Sequence, residues 1–208
     1  MSARTLPPPL PPVCLTRTYL SRGVKGGTVI AEDVLDPEIH RRRLLDPDAY
    51  RQQVSPCRRC GGAILHAHCF RQRQLRPARS ESEPTVVVAI RLYRCASRSC
   101  GAVFTVLPAF VARHLWRAWE TVTAVTRRGL PAPKTTKRRW LARLSSDARQ
   151  LVETFTSAAE QRVRDVLSKA HAPTRHDFLD ALEPVVGRPL LALVAAWIHR
   201  LSAGLRLM

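Results

Sequence analysis

The chain has 208 residues with 34 Lys and Arg against 16 Asp and Glu, a formal net charge of +18, and 45% of its residues are hydrophobic. That apolar share can bury a core, which excludes a wholly disordered basic tail, and the length allows one or two compact domains. A charge of +18 opposes compaction unless polyanions offset it, but a GC-rich genome also favours arginine by codon usage, so where the charge sits says more than its sum.

Residues 1–34 read as a Pro- and Gly-rich N-terminal arm. Five prolines by position 12 break the continuous apolar stretch that a secretory signal needs, so the chain is expected to be cytoplasmic. The arm is expected to be mobile or extended, a spacer in preference to an SH3-type ligand, with Cys14 a free thiol. Over 35–55, a short helical lead-in, Asp36-Pro37 and Asp46-Pro47 each set a capping carboxylate before a proline suited to the first helical position, predicting two short helices across 36–50.

Between 56 and 108 the apolar period shortens. Residues 63–71, 85–94 and 102–107 read as three strands, with Val86, Val88, Ile90 and Leu92 on one side of the second and an arginine- and serine-rich loop at 72–84. Cys57-Arg-Arg-Cys60-Gly-Gly and Cys95-Ala-Ser-Arg-Ser-Cys100-Gly flank the first two strands. Two closely spaced cysteine pairs, each followed by glycine, suit one tetrahedral Zn2+ held by Cys57, Cys60, Cys95 and Cys100, because a tight turn lets both thiolates of a pair reach one ion. Four protein ligands leave no open position, so the zinc is expected to be structural. His66, His68 and Cys69 are competing ligands, but strand alternation sends the histidines to one side and the cysteine to the other.

After Pro108 the period becomes helical. Residues 110–128 place Leu115, Trp119, Val122 and Thr126 on one stripe with Gly129 as the C′ residue, and Lys134–Leu144 turns Trp140, Leu141 and Leu144 inward. This pair, within 109–145, is expected to be a helix-turn-helix. Lys134, Thr135, Arg138, Arg139, Ala142 and Arg143 gather on or beside the outward face of its second helix, the residue types that read base edges and grip phosphates. Lys137 falls on the inward side by angle. Arg113, Arg117 and Arg128 would line the polar face of a first helix that crosses the backbone. Trp116 lies off the apolar stripe and is expected to pack rather than stack on bases. The last region, 146–208, reads as helices at 147–171, 176–186 and 190–207, a bundle that forms a homodimer or a monomeric cap.

Of the +18, +15 falls in 56–145. Codon usage raises arginine everywhere but does not strip acidic residues from one block, whereas a phosphate-binding surface requires that. The acidic residues after 145 are scattered over helices, and Gly-rich phosphate loop, nucleophile elbow and His-Glu-x-x-His patterns are missing from the sequence, so an enzyme is not expected. The longest late apolar run, 189–198, is too short to span a membrane.

The run Asp46-Pro-Asp-Ala-Tyr50, then Cys57-x-x-Cys60-Gly-Gly-Ala, Tyr93-Arg-Cys-(x4)-Cys-Gly, Phe104-Thr-Val-Leu-Pro108 and Thr136-x-Arg-Arg-Trp140, resembles zinc-ribbon proteins encoded with bacterial insertion sequences and other mobile elements. The resemblance covers about 46–145. It implies an α+β chain in which a three-stranded zinc ribbon precedes a transposase-type helix-turn-helix, double-stranded DNA as partner, a nucleoid location, and a role in transposition or its regulation beside a transposase or recombinase. The alternative is an adaptor that docks on such an enzyme, or on a polymerase, through its C-terminal helices. RNA is a third and weaker reading.

Overall fold

The computed structural model describes residues 25–76, 85–113, 117–202 and 207. Cys14, the proline run, the tip of the 72–84 loop, Leu115 and Trp116 lie outside them. The fold is mixed α+β, a four-stranded sheet with eight helices among the described residues.

The sheet order is β1-β4-β3-β2, with β1 Lys25–Ala31, β2 Leu65–Leu75, β3 Val86–Cys95 and β4 Val103–Pro108. The three expected strands are present and antiparallel in sequence order. β1 is an addition. It lies wholly within the 1–34 arm expected to be mobile or extended, yet it pairs parallel with β4, from Gly27 opposite Phe104 to Ala31 opposite Pro108. Of the two glycines that read as a spacer, Gly27 adopts a φ of +109° at the register shift and Gly26 has a packing role. A Cβ on Gly26 would lie 2.8 Å from the Phe104 ring, so the strand can cross that ring only with glycine.

Two helices lead into the first cysteine pair, α1 Pro37–Leu44 and α2 Arg51–Val54. Asp36 caps α1 as expected, its carboxylate accepting from the amides of Glu38 at 2.7 Å and Ile39 at 3.2 Å. The second Asp-Pro begins a turn instead, and α2 starts only at Arg51. Buried polar groups fix this lead-in on the sheet. His40 Nε2–H donates to the Ala89 carbonyl at 2.7 Å, which leaves Nδ1 to accept from the Tyr50 hydroxyl at 2.6 Å. The Tyr93 hydroxyl donates to the Pro47 carbonyl, and Arg91 donates to the Leu44 carbonyl while its guanidinium lies 3.8 Å from the centre of the Phe70 ring.

The chain after β4 does not enter a helix at Phe110. Ala109 continues the strand direction by donating to the Ala31 carbonyl at 3.1 Å, Phe110 and Val111 bury in the sheet core, and Val111 bridges back to Ala118. The first helix, α3, is therefore Trp119–Arg127, nine residues later than its sequence periodicity suggested. Gly129 follows it with a φ of +73° as expected of a C′ residue. α4 spans Lys134–Leu144 as expected, with Trp140 and Leu144 buried; Leu141 is 38% exposed, because only the i, i+4 stripe of this helix meets the core.

The expected helix over 147–171 is two, α5 Arg149–Ala158 and α6 Gln161–Lys169, parted by extended backbone at Ala159 and Glu160. That break lets Phe155 meet Phe178 edge-on at 5.2 Å while Val163 and Leu167 bury on a second axis. α7 Arg175–Val186, closed by a Thr174/Asp177 capping box, meets α8 Leu190–Leu201 at 103°. No single helix among the described residues is long and apolar enough to cross a membrane.

Two apolar cores result. One holds the sheet and its lead-in helices up to Val111; the other begins at Ala112 and unites α3 and α4 with α5 to α8.

Candidate metal centre and basic surfaces

The four cysteines of the two motifs converge at the end of the sheet where β2 begins and β3 ends. Their sulfur atoms all lie within 4.8 Å of one another, with Cys57 to Cys100 at 3.8 Å and Cys60 to Cys95 at 3.6 Å. Sulfurs about 2.3 Å from a tetrahedral ion stand about 3.8 Å apart, so the donor set fits such a metal. The separations are far beyond the roughly 2.05 Å of a disulfide.

Local backbone explains why these loops converge. In the first, the amides of Arg59 and Cys60 point at the Cys57 sulfur and that of Gly62 at the Cys60 sulfur; the Cys57 amide donates to the Gly62 carbonyl at 2.8 Å. Gly61 sits at φ +72°, and a Cβ on Gly62 would lie 3.3 Å from the Cys60 sulfur. The second loop repeats the device, with the Ser97 amide on Cys95, the Ala102 amide on Cys100, and Gly101 at φ +53°. Its longer spacing has a simple origin. Ala96 donates to the Ile64 carbonyl at 3.0 Å and so extends the sheet pairing, and the turn that brings Cys100 round is confined to Ser97–Cys100, closed at 3.1 Å.

The thiols compete for charge. Burial raises the Cys57 thiol, but the Arg59 and Cys60 amides and the Cys60 and Cys95 thiols bring it down to about 7. The other three are pushed up: each has an amide that favours its thiolate, from Gly62, Ser97 or Ala102, but neighbouring thiols and burial outweigh it. Four thiolates can coexist here only with a cation among them. His66, His68 and Cys69 are not part of the cluster. A register shift between Ala67 and Cys69 takes His68 out of simple alternation, and repulsion by Arg94 adds to burial in holding it neutral.

The residues expected to meet DNA divide into two groups. Lys134, Thr135, Arg138, Arg139, Ala142 and Arg143 are all exposed on α4, opposite buried Trp140 and Leu144, while Lys137 is half-buried at the margin. The side chains of Lys134, Arg138, Arg139 and Arg143 make no ion pair among the described residues. Arg113 and Arg117, by contrast, precede α3 and line no helix face. Arg113 donates to His199 Nδ1 at 2.9 Å, and its carbonyl and that of Ala112 accept from Arg73 at 3.0 and 2.7 Å. Arg128 pairs with Glu120, and Arg127 bonds both Asp180 and Glu183 on α7, at 2.5 and 2.6 Å.

Sequence reasoning passed over the cations of the metal loops themselves: Arg58, Arg59, Arg94 and Arg98 are all exposed around the cluster. The signal was present, since the two residues between Cys57 and Cys60 are both arginine. Arg58 also borders a cleft of about 350 Å³ shared by Val29, Glu32, Asp33, Gln53, His199 and Arg200. Burial raises the Glu32 carboxyl there, against the opposing charge of Arg200 at 3.0 Å.

No protein-family model, no curated protein and no solved structure matches the chain. Its class is thus given by its own geometry: an α+β protein with a four-cysteine site able to hold a metal ion.

Proposed function

We propose that the chain is a zinc-containing protein that binds double-stranded DNA, an accessory or regulatory factor of a bacterial mobile element with no catalysis of its own. Cys57, Cys60, Cys95 and Cys100 hold one structural Zn2+, which closes the sheet end as a zinc ribbon. α3 and α4 act as a helix-turn-helix. The observation that carries this reading is the face of α4: three arginines, a lysine and two small residues stand exposed and unneutralised, while its other side is anchored by Trp140 and Leu144. An arginine there can bond guanine bidentately, Ala142 permits close approach, and Lys134 and Arg143 reach phosphates. The adaptor alternative draws less support. α8 turns Leu190, Leu191, Val194 and Ile198 into its own core, and the exposed large hydrophobics among the described residues all precede 146.

A binding titration against salt tests the reading. Affinity for duplex DNA is expected to fall steeply with salt, and Arg138→Ala with Arg139→Ala to weaken it and to flatten the log–log slope by about two. Salt-insensitive binding, or full binding by the double variant, counts against it.

A further inference from the structure

A second group of exposed cations sits at the metal end of the sheet, on elements other than α4. Arg59 lies inside the first ligand loop and Arg98 inside the second, and the four sulfurs within 4.8 Å tie both loops to one point. Arg94 leads into the second loop, its Nη2 3.6 Å from where a Gly101 Cβ would stand, and its cross-strand neighbour is His66. All four side chains are exposed. Arg59, Arg94 and Arg98 make no ion pair among the described residues, unlike Arg41, Arg43 and Arg51, each of which meets a carboxylate. Arg58 borders the Glu32 and Asp33 cleft and is left out of this group.

Three guanidinium groups in and beside the two ligand loops, none of them paired with a carboxylate among the described residues, repel one another. A divalent ion in four thiolates carries a charge of −2, which offsets part of their +3 and leaves a surplus facing solvent. Three planar forks on one rigid end match phosphate oxygens bidentately.

We propose that Arg59, Arg94 and Arg98 form a second DNA-contacting surface that grips the phosphate backbone of duplex DNA, with the metal fixing the loops that carry two of the three. This rests on the duplex-DNA reading above and extends it: α4 supplies sequence preference, the arginine group supplies sequence-independent affinity, and the metal acts on binding as well as on stability.

The test uses the full zinc-loaded chain and a short duplex over a salt series. Arg59→Gln, Arg94→Gln and Arg98→Gln together are expected to flatten the log–log salt slope by about two to three, since each lost phosphate contact removes about 0.9. The loss should be equal on unrelated duplex sequences, with zinc content unchanged, and lysine at the same three positions should restore the slope. If the triple variant fails to load zinc, Arg59→Gln with Arg98→Gln, both in exposed loops, is read in its place, with a change of about two expected. An unchanged slope beside a loss in the Arg138→Ala, Arg139→Ala protein overturns the second surface and leaves the α4 reading standing. A flattened slope beside an unaffected α4 variant supports the surface and overturns α4 as the reader. Wild-type protein that does not bind duplex at any salt overturns both. Weaker zinc retention against a chelator with an unchanged slope overturns the proposal too, since the arginines would then serve only the charge of the metal–thiolate centre.

Discussion

His199 Nε2–H donates to the Thr28 carbonyl at 2.9 Å, a bond between α8 and β1 that spans 171 residues. With Nδ1 accepting from Arg113, this one ring ties the first strand, the segment before α3 and the last helix together. His199→Ala removes both partnerships. A loss of about 1–3 kcal/mol is expected, the cost of leaving partly buried polar groups unpaired, read as a lower urea midpoint at neutral pH.

The same ring contributes to a pH dependence. Burial lowers the pKa of His40, of His68 and of His199, and nearby arginines add to it for the last two. A histidine whose folded pKa lies below its unfolded value of about 6.5 binds its proton more readily in the unfolded chain. Stability from these groups is thus complete above about 6.5 and is lost as pH falls through the folded values. Urea midpoints measured from neutral to mildly acidic pH should fall, and His40→Gln should flatten that decline. An equal decline in the variant removes His40 from the account.

Short-range chemistry was legible in the sequence wherever one residue type decides the outcome. The cysteine loops, the Asp36 cap, Gly129 and the limits of α4 all follow from local geometry. What escaped depends on partners distant in the chain. β1 depends on Gly26, which lets a strand pass over Phe104, nearly eighty residues away, so a glycine that signals a spacer is a packing device. The start of α3 slid to Trp119 because Ala109 is held by the Ala31 carbonyl, although 110–128 carries a helical period. The break at Ala159–Glu160 falls on two good helix formers, and what it serves is long-range packing, Phe155 on Phe178 with Val163 and Leu167 buried beyond it.

Metal removal separates the two cores. Structural zinc contributes about 10–16 kcal/mol in small domains at neutral pH. Stripping the ion, or Cys100→Ser, is expected to unfold the sheet end, seen as loss of β signal and of bound metal. Cys69→Ser should keep one metal per chain, because Cys69 lies outside the cluster. Cobalt(II) supplied to the metal-free chain should show thiolate charge transfer and tetrahedral ligand-field bands in the wild type and in the Cys69 variant. Retention of those bands by Cys100→Ser overturns the ligand set.

Trp140→Ala addresses the other core. Trp140 is 2% exposed and packs with Val122, Val125 and Leu144 in the apolar cluster shared with α5 to α8, whereas Cys57, Cys95 and Cys100 belong to the sheet cluster. Truncating a buried tryptophan costs about 3–5 kcal/mol. Thermal unfolding should move down accordingly, while bound metal and the arginines of the metal loops stay as they are. The two proposed DNA surfaces then come apart in one protein. Freed from its anchor, α4 should lose its preference between duplex sequences before the salt-dependent, sequence-independent component declines. Simultaneous loss of both would mean that the metal end contributes no binding independent of α4.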